Sequence, residues 1–318
     1  MNVLYIYHEY GGRRKAYGYE IAKCGHTVSF LKIDGKTNPD QVTLKKIKSY
    51  KPDLVWLLSP HYLQFKVIQD DAYDYLKRKK IPIVLYSTLF TNVPYTEMMN
   101  LWKKFDFLFV HNRPFNDHLN KKGLKSWYMP VAFYPEHYFY CNQTKKIDVA
   151  FMGNPQSKNV GHDKRLRFVT ELKEFDFKLF GGRWRKVGIK APRFSTHEEQ
   201  RIIYSMTKIN LDLPYVNSPH EFYENFLHLK NRFFEIPATG NFLLTGKDED
   251  FMDILDETMV GYYDNNIESL KDNIKRYLKD VALREKMSQR AHKVITENHT
   301  FGHRFREMFK ILKKEGVS

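Results

Sequence analysis

Lys230-Asn231-Arg232-Phe233-Phe234-Glu235-Ile236-Pro237-Ala238-Thr239-Gly240-Asn241-Phe242-Leu243-Leu244-Thr245 runs from a polar start through an apolar, helix-like stretch, a tight turn over 237–240 and a short buried strand. Helix, turn and strand in immediate succession is the repeating unit of an α/β fold. Asn231 is a good N-cap, which aims the backbone amides of Arg232, Phe233 and Phe234 at an incoming anion. Lys230 and Arg232 add full charges suited to a diphosphate. Glu235 follows one turn into the helix, where a carboxylate can accept hydrogen bonds from two ribose hydroxyls. By its own chemistry the segment fits equally a capped helix carrying an Arg232–Glu235 surface salt bridge.

The same grammar extends on both sides. Residues 147–152 read as a strand ending at Gly153-Asn154, followed by a basic helix to about Lys173. A strand over 177–180 ends in Gly181-Gly182. Thr196 and Glu199 have capping-box spacing at the start of the next helix, before a strand over 209–213. After the opening segment come a strand over 260–263 and two helices, the first with Leu270, Ile274, Tyr277 and Leu278 on one face. The first half gives strands over 3–8, 27–33, 53–58, 81–86, 106–110 and 127–131, with helices between them reaching Lys23, Lys79 and Lys122. Strands alternating with helices specify βαβ units and parallel sheets. The expected fold is α/β, with two Rossmann-like, doubly wound domains facing a central cleft and ligands at the carboxyl ends of the strands. The expected domains are residues 1–140, 141–300, and a C-terminal helix, 301–318, packing back toward the first domain. The expected hinge lies near 134–146.

Composition bounds the function. The chain has 318 residues, 42% of them hydrophobic, enough for two cores. Its net charge of +15 favours anionic partners: nucleotide phosphates, anionic membranes or nucleic acid. Cys24 and Cys141 lack metal-type spacing, which excludes a zinc motif or disulfide framework and points to a reducing compartment. The start, 1–7, reads as a strand rather than a signal peptide, and no apolar run reaches the ~18 residues of a membrane span. The expected location is the cytoplasm, with peripheral attraction to anionic surfaces.

The run from Arg232 to Leu244 resembles the signature of the CgeB-like (spore-maturation type) glycosyltransferases, a branch of the GT-B superfamily of group 1 glycosyl transferases. Tyr128-Met129-Pro130-Val131-Ala132 is similar to the end of that family's N-domain, and 147–154 to the first strand and turn of its donor domain. Phe180-Gly181-Gly182-Arg183-Trp184 resembles its base-binding turn, and His299-Thr300-Phe301 with His303-Arg304 the start of its C-terminal helix. The likeness covers about residues 106–318. It implies that Glu235 holds the ribose and that Gly153 and Asn154 let the backbone approach the diphosphate. It further implies that Gly181, Gly182 and Trp184 border the base, while Lys230, Asn231, Arg232 and Thr239 complete the donor site. Many retaining relatives carry a second glutamate eight residues before the first. Leu227 stands there, with Glu221 and Glu224 off register, so retention or inversion stays open.

The implied chemistry is sugar transfer from a nucleotide-diphosphate sugar, UDP-sugar favoured, with the leaving group stabilised by helix amides and Lys/Arg and no metal required. Asp248-Glu249-Asp250 reads as the first turn of a helix rather than a metal motif. His299 and His303 lack a third ligand and read as capping or wall residues. An inverting enzyme needs a base on the acceptor side. His61 is the first candidate, then His8 or Glu9; His111 also falls at a strand end. Gly11, Gly12, Arg13 and Arg14 follow the first strand and suit an anionic acceptor. Three readings stand: transfer to a glycan or glycoconjugate, phage-type glycosylation of hydroxymethylated bases in DNA, or a catalytically inactive binding module.

Overall fold

A computed structural model describes residues 1–8, 15–33, 42–58, 68–87, 95–155, 162–194, 196–215 and 227–317. The chain forms two compact units, Met1–Pro130 with Phe301–Ser318, and Val131–Thr300. Each is a parallel α/β sandwich, the architecture expected from the sequence.

The first unit holds β1 (Asn2–His8), α1 (Lys15–Lys23), β2 (Thr27–Ile33), α2 (Leu44–Tyr50), β3 (Leu54–Leu58) and α3 (Asp70–Arg78). β4 (Ile83–Ser87), α4 (Tyr95–Trp102), β5 (Phe107–Val110), α5 (Arg113–Lys121), β6 (Ser126–Tyr128) and the C-terminal helix α12 (Phe301–Lys314) complete it. Its six strands among the described residues lie in the order β2-β1-β3-β4-β5-β6. Val3 pairs with Val28 on one side and Leu54 on the other, and every pairing is parallel. β3 and β4 are buried along their whole length, as central strands covered on both faces must be. An aromatic layer fills this core: Trp56 lies 4.6 Å from the Tyr5 ring and 6.1 Å from Tyr86, and Phe305 of α12 meets Trp56 edge-on at 5.4 Å. Helices α2 and α4 were not expected from the pattern. Thr43 caps α2 by accepting from Lys46 N, but Ile47 is the only buried residue of that helix, so its apolar stripe is too thin to read.

The second unit holds β7 (Ile147–Met152), α6 (His162–Glu171), β8 (Phe177–Phe180), α7 (His197–Met206), β9 (Thr207–Asp212) and α8 (Asn231–Ala238). β10 (Leu243–Gly246), α9 (Glu249–Met252), β11 (Gly261–Tyr263), α10 (Ile267–Lys279) and α11 (Val281–Asn298) follow. The order β11-β10-β9-β7-β8 is the winding of the first sheet again, second strand beside first and first beside third. The Thr196–Glu199 capping box forms in both directions. Asp248 caps α9, so the acidic triplet is a helix start. Leu270, Ile274 and Tyr277 of α10 are buried, with Leu278 only partly so. The opening segment is helix, turn and strand as expected, but α8 starts one residue early. Lys230 takes the N-cap position without a side-chain cap bond, and Asn231 is the first helical residue. Pro237 continues the helix, its fixed φ suiting the last turn, and Gly240 (φ 76) ends it. No helix among the described residues is long and apolar enough to cross a membrane.

Candidate functional site

In the second sheet the winding reverses between β7 and β9, and a doubly wound sheet opens a crevice beyond the carboxyl ends of such strands. Two arginines converge there. Arg165, from α6, donates through Nη1 to Asn154 O at 2.8 Å and through Nη2 to Leu213 O at 2.5 Å, tying together the chain beyond the two strands. Arg232, from the first turn of α8, donates through Nη1 to Met152 O at 2.7 Å. Its Nε lies 2.9 Å from Oδ1 of Asp212, a close ion pair that is not aligned as a hydrogen bond. Both guanidinium groups lie over the Phe151 ring, at 5.5 and 5.0 Å.

Lys230, Arg165 and Arg232 thus surround one fully buried carboxylate, Asp212. Burial pushes the Asp212 pKa up, and Arg232, Arg165 and Lys230 pull it back down. Lys230 is driven well below the usual lysine range, first by burial and then by Arg165 and Arg232. Arg165 is lowered by burial and by Arg232, though a guanidinium stays protonated at neutral pH. Among the described residues, two guanidinium groups and the Lys230 amine face one carboxylate there, a basic setting that favours an entering anion. The α8 N-terminus adds its dipole, since the first turn's amides have no intrahelical acceptors except Phe233 N, which reaches Lys230 O.

The glycine turns of the sequence reading frame this cluster. Gly181 has φ +150, and a Cβ there would sit 1.9 Å from Gly153 O. A Cβ on Gly153 would come within 2.8 Å of Arg232 Nη1, so a side chain there displaces the arginine. Asn154 Oδ1 accepts from Arg183 N, and Gly182 O accepts from Arg193, which closes the turn after β8. Trp184 is fully buried, donating Nε1–H to Gly153 O at 2.8 Å and meeting Phe151 edge-on. Its indole braces the turn that follows β7.

Other expected donor residues divide. Asn231 donates from Nδ2 to Ala132 O at 3.4 Å. Glu235 is only 3% exposed. Its Oε2 accepts from Gln200, which also donates to Tyr204 and accepts from Tyr138. The alternative salt bridge to Arg232 is replaced by the Arg232–Asp212 pair. Thr239 lies at the opposite end of α8 from Lys230, fully buried, its hydroxyl donating to Ile236 O and accepting from Asn241. Leu227 is a core residue bridged to Tyr215. Arg165 and Asp212 were not singled out in the sequence, although an aspartate inside the apolar run Ile209-Asn210-Leu211-Asp212-Leu213 is a visible oddity.

In the first unit, His8 ends β1. His61, Glu9, Gly11, Gly12, Arg13 and Arg14 lie outside the described residues, as do Glu221 and Glu224. His111 is buried against the Tyr86 ring at 4.5 Å. In the second unit, His299 is the C-cap of α11, packed near Phe234. Among the described residues no three His, Cys, Asp or Glu side chains are grouped to hold a metal.

Residues 164–310 match the family described as glycosyl transferase-like. The whole chain superposes on sucrose-phosphate synthase from Thermosynechococcus elongatus with a TM-score of 0.72 at 11% identity, covering 100% of this chain and 99% of that one. Anabaena HepE in complex with UDP-glucose aligns with a TM-score of 0.70 at 10% identity over 99% and 100%. A glycosyltransferase from Rickettsia africae aligns at 0.68 and 14% over 98% of each chain. No curated protein matches in sequence. The fold is therefore GT-B.

Proposed function

We propose that the chain is a glycosyltransferase that binds a nucleotide-diphosphate sugar, UDP-sugar in preference, at the carboxyl ends of β7 and β9. One observation carries the reading: Arg232, Lys230, Arg165 and the start of α8 converge at the switch point of the second sheet. In the reaction the bond from the anomeric carbon to the β-phosphate oxygen breaks, and its electron pair stays on the diphosphate. An acceptor hydroxyl oxygen bonds to that carbon and gives up its proton to a base. Charge growing on the leaving group needs fixed cations and dipoles, the role assigned to Arg232, Lys230 and the backbone amides that open α8, with no metal required in this reading. That HepE is solved with UDP and UDP-glucose supports the choice of base.

Glu235 is assigned to the ribose and Gly153, Asn154, Gly181 and Gly182 to close backbone approach. The acceptor-side candidates are His61, then His8 or Glu9, as base, with Gly11, Gly12, Arg13 and Arg14 as contacts. The acceptor is a hydroxyl of a glycan or glycoconjugate. The net charge of +15 favours modified DNA as the second reading; retention on DNA that collapses with moderate salt would support it, and no retention at low salt removes it.

A thermal-shift panel of UDP-, GDP-, ADP- and dTDP-sugars tests the donor assignment. UDP-sugars are expected to raise the wild-type melting temperature most, with Glu235→Ala responding weakly. No response from the wild type to any nucleotide sugar would remove the assignment. Release of UDP from a stabilising UDP-sugar separates an enzyme from an inactive binding module.

A further inference from the structure

We propose that Asp212, backed by Arg165, is a positioning residue of the diphosphate contact: it does not touch the donor but sets the direction in which Arg232 meets it. This rests on the donor-site reading above. Asp212 has no exposed surface and ends the central strand of the second sheet beside the point where the winding reverses. A carboxylate is costly to bury, so its presence there needs a return beyond stability. Its ion-pair partner is Arg232, whose side chain keeps 13% of its surface exposed. Among the described residues the guanidinium meets protein at two of its three nitrogens, Nε in the ion pair with Asp212 and Nη1 in the bond to Met152 O, which leaves Nη2 to serve a ligand. Arg165 acts one layer behind. Its two terminal nitrogens lock the chain beyond β7 to the chain beyond β9, so the frame on which Arg232 rests cannot spread.

Charge and position make opposite demands on Asp212. If it acted through its charge alone, removing it would strengthen the binding of an anion. If it aims Arg232, removing it weakens that binding in spite of the added positive surplus. Calorimetric titration of UDP and of uridine into wild type and Asp212→Asn separates the two, because uridine reports base and ribose contacts without phosphate. The expected result is UDP binding weaker by about fivefold or more, the scale of one misdirected charge-assisted hydrogen bond, with uridine binding unchanged. Unchanged or tighter UDP binding overturns the proposal, and so does an equal loss for UDP and uridine, which marks a merely structural role. If Asp212→Asn does not fold, Arg165→Lys takes its place, since it keeps the charge and loses the planar fork. A UDP-specific loss of about threefold or more is expected there, and no loss, or an equal loss for uridine, overturns the proposal. A wild type that binds UDP no better than uridine would instead sink the donor-site reading itself.

Discussion

The two units wind their strands in the same order and bury different things. Among the described residues of the first unit, Glu20 is the one buried side chain of the Asp, Glu, Lys and Arg types, and its partner Lys23 is an exposed neighbour on the same helix. The interior there is aromatic, with Tyr5, Trp56, Tyr86 and Phe305 in contact. The second unit buries Arg165, Asp212, Glu235, Asp250 and Arg284. Topology is thus shared and electrostatics is not. A doubly wound sheet provides a crevice at its switch point whatever the sequence, but the side chains at the strand ends decide whether that crevice attracts an anion. Because buried ion pairs seldom repay their desolvation, a cluster such as Arg165–Asp212–Arg232 is poorly explained by stability alone, and donor binding is its proposed role.

Perturbing each core sharpens the contrast. The largest effect is expected from Trp56→Ala, which removes the centre of the aromatic layer and should destabilise the first unit by about 3–5 kcal/mol. UDP affinity measured below the new melting transition should not change; a parallel loss of affinity would break the separation of roles. Arg232→Ala comes next. It strands the Asp212 carboxylate without its partner, which costs about 3 kcal/mol of stability in the second unit, and it should weaken UDP binding by about tenfold or more. Denaturant unfolding and calorimetry read the two effects separately.

The smallest effect is a pH dependence at Asp248, whose pKa is raised to about 6 by burial, with Asp250 and Glu249 adding repulsion. The folded protein keeps this proton at pH values where the unfolded chain has released it. The group's contribution to stability is therefore fully present below the ordinary aspartate pKa of about 3.9 and lost as pH rises through about 6. Asp248→Asn keeps an acceptor for Asp250 N and removes the charge. It should stabilise the protein at pH 7 by about 1 kcal/mol once solvent screening of this partly exposed group is allowed for, and by nothing near pH 4. Equal stabilisation at both pH values would show that burial of the charge is not the cause.

What could be read from the sequence follows from how local each cause is. Strands β2, β7 and β8 fall on their expected residues because their apolar runs end in turn chemistry: Gly25 before β2, Gly153 after β7, Gly181 after β8. The Thr196 capping box and the Asp248 helix start needed only neighbours three or two residues away. The segment from Lys230 to Thr245 was legible as a helix start with basic residues, but its partnership was not. Arg232 was weighed against Glu235, three positions further along the helix, whereas its ion pair is to Asp212 across the sheet. Arg165 sits in a helix that reads as generally basic, and nothing local distinguishes it from Lys164 or Arg167. Only the fold brings its guanidinium to Asn154 and Leu213. Trp184 was read as bordering a base from the resemblance of 180–184 to a base-binding turn; that its indole donates to Gly153 O depends on the fold and could not be read locally.

The most direct measurement is a crystal structure of the wild type grown with UDP. The diphosphate is expected against Arg232, Lys230 and the first turn of α8, with Gly153 beneath it, and Asp212 behind Arg232 without contact to the ligand. UDP bound elsewhere, or a diphosphate held without Arg232, would contradict the placement of the donor site.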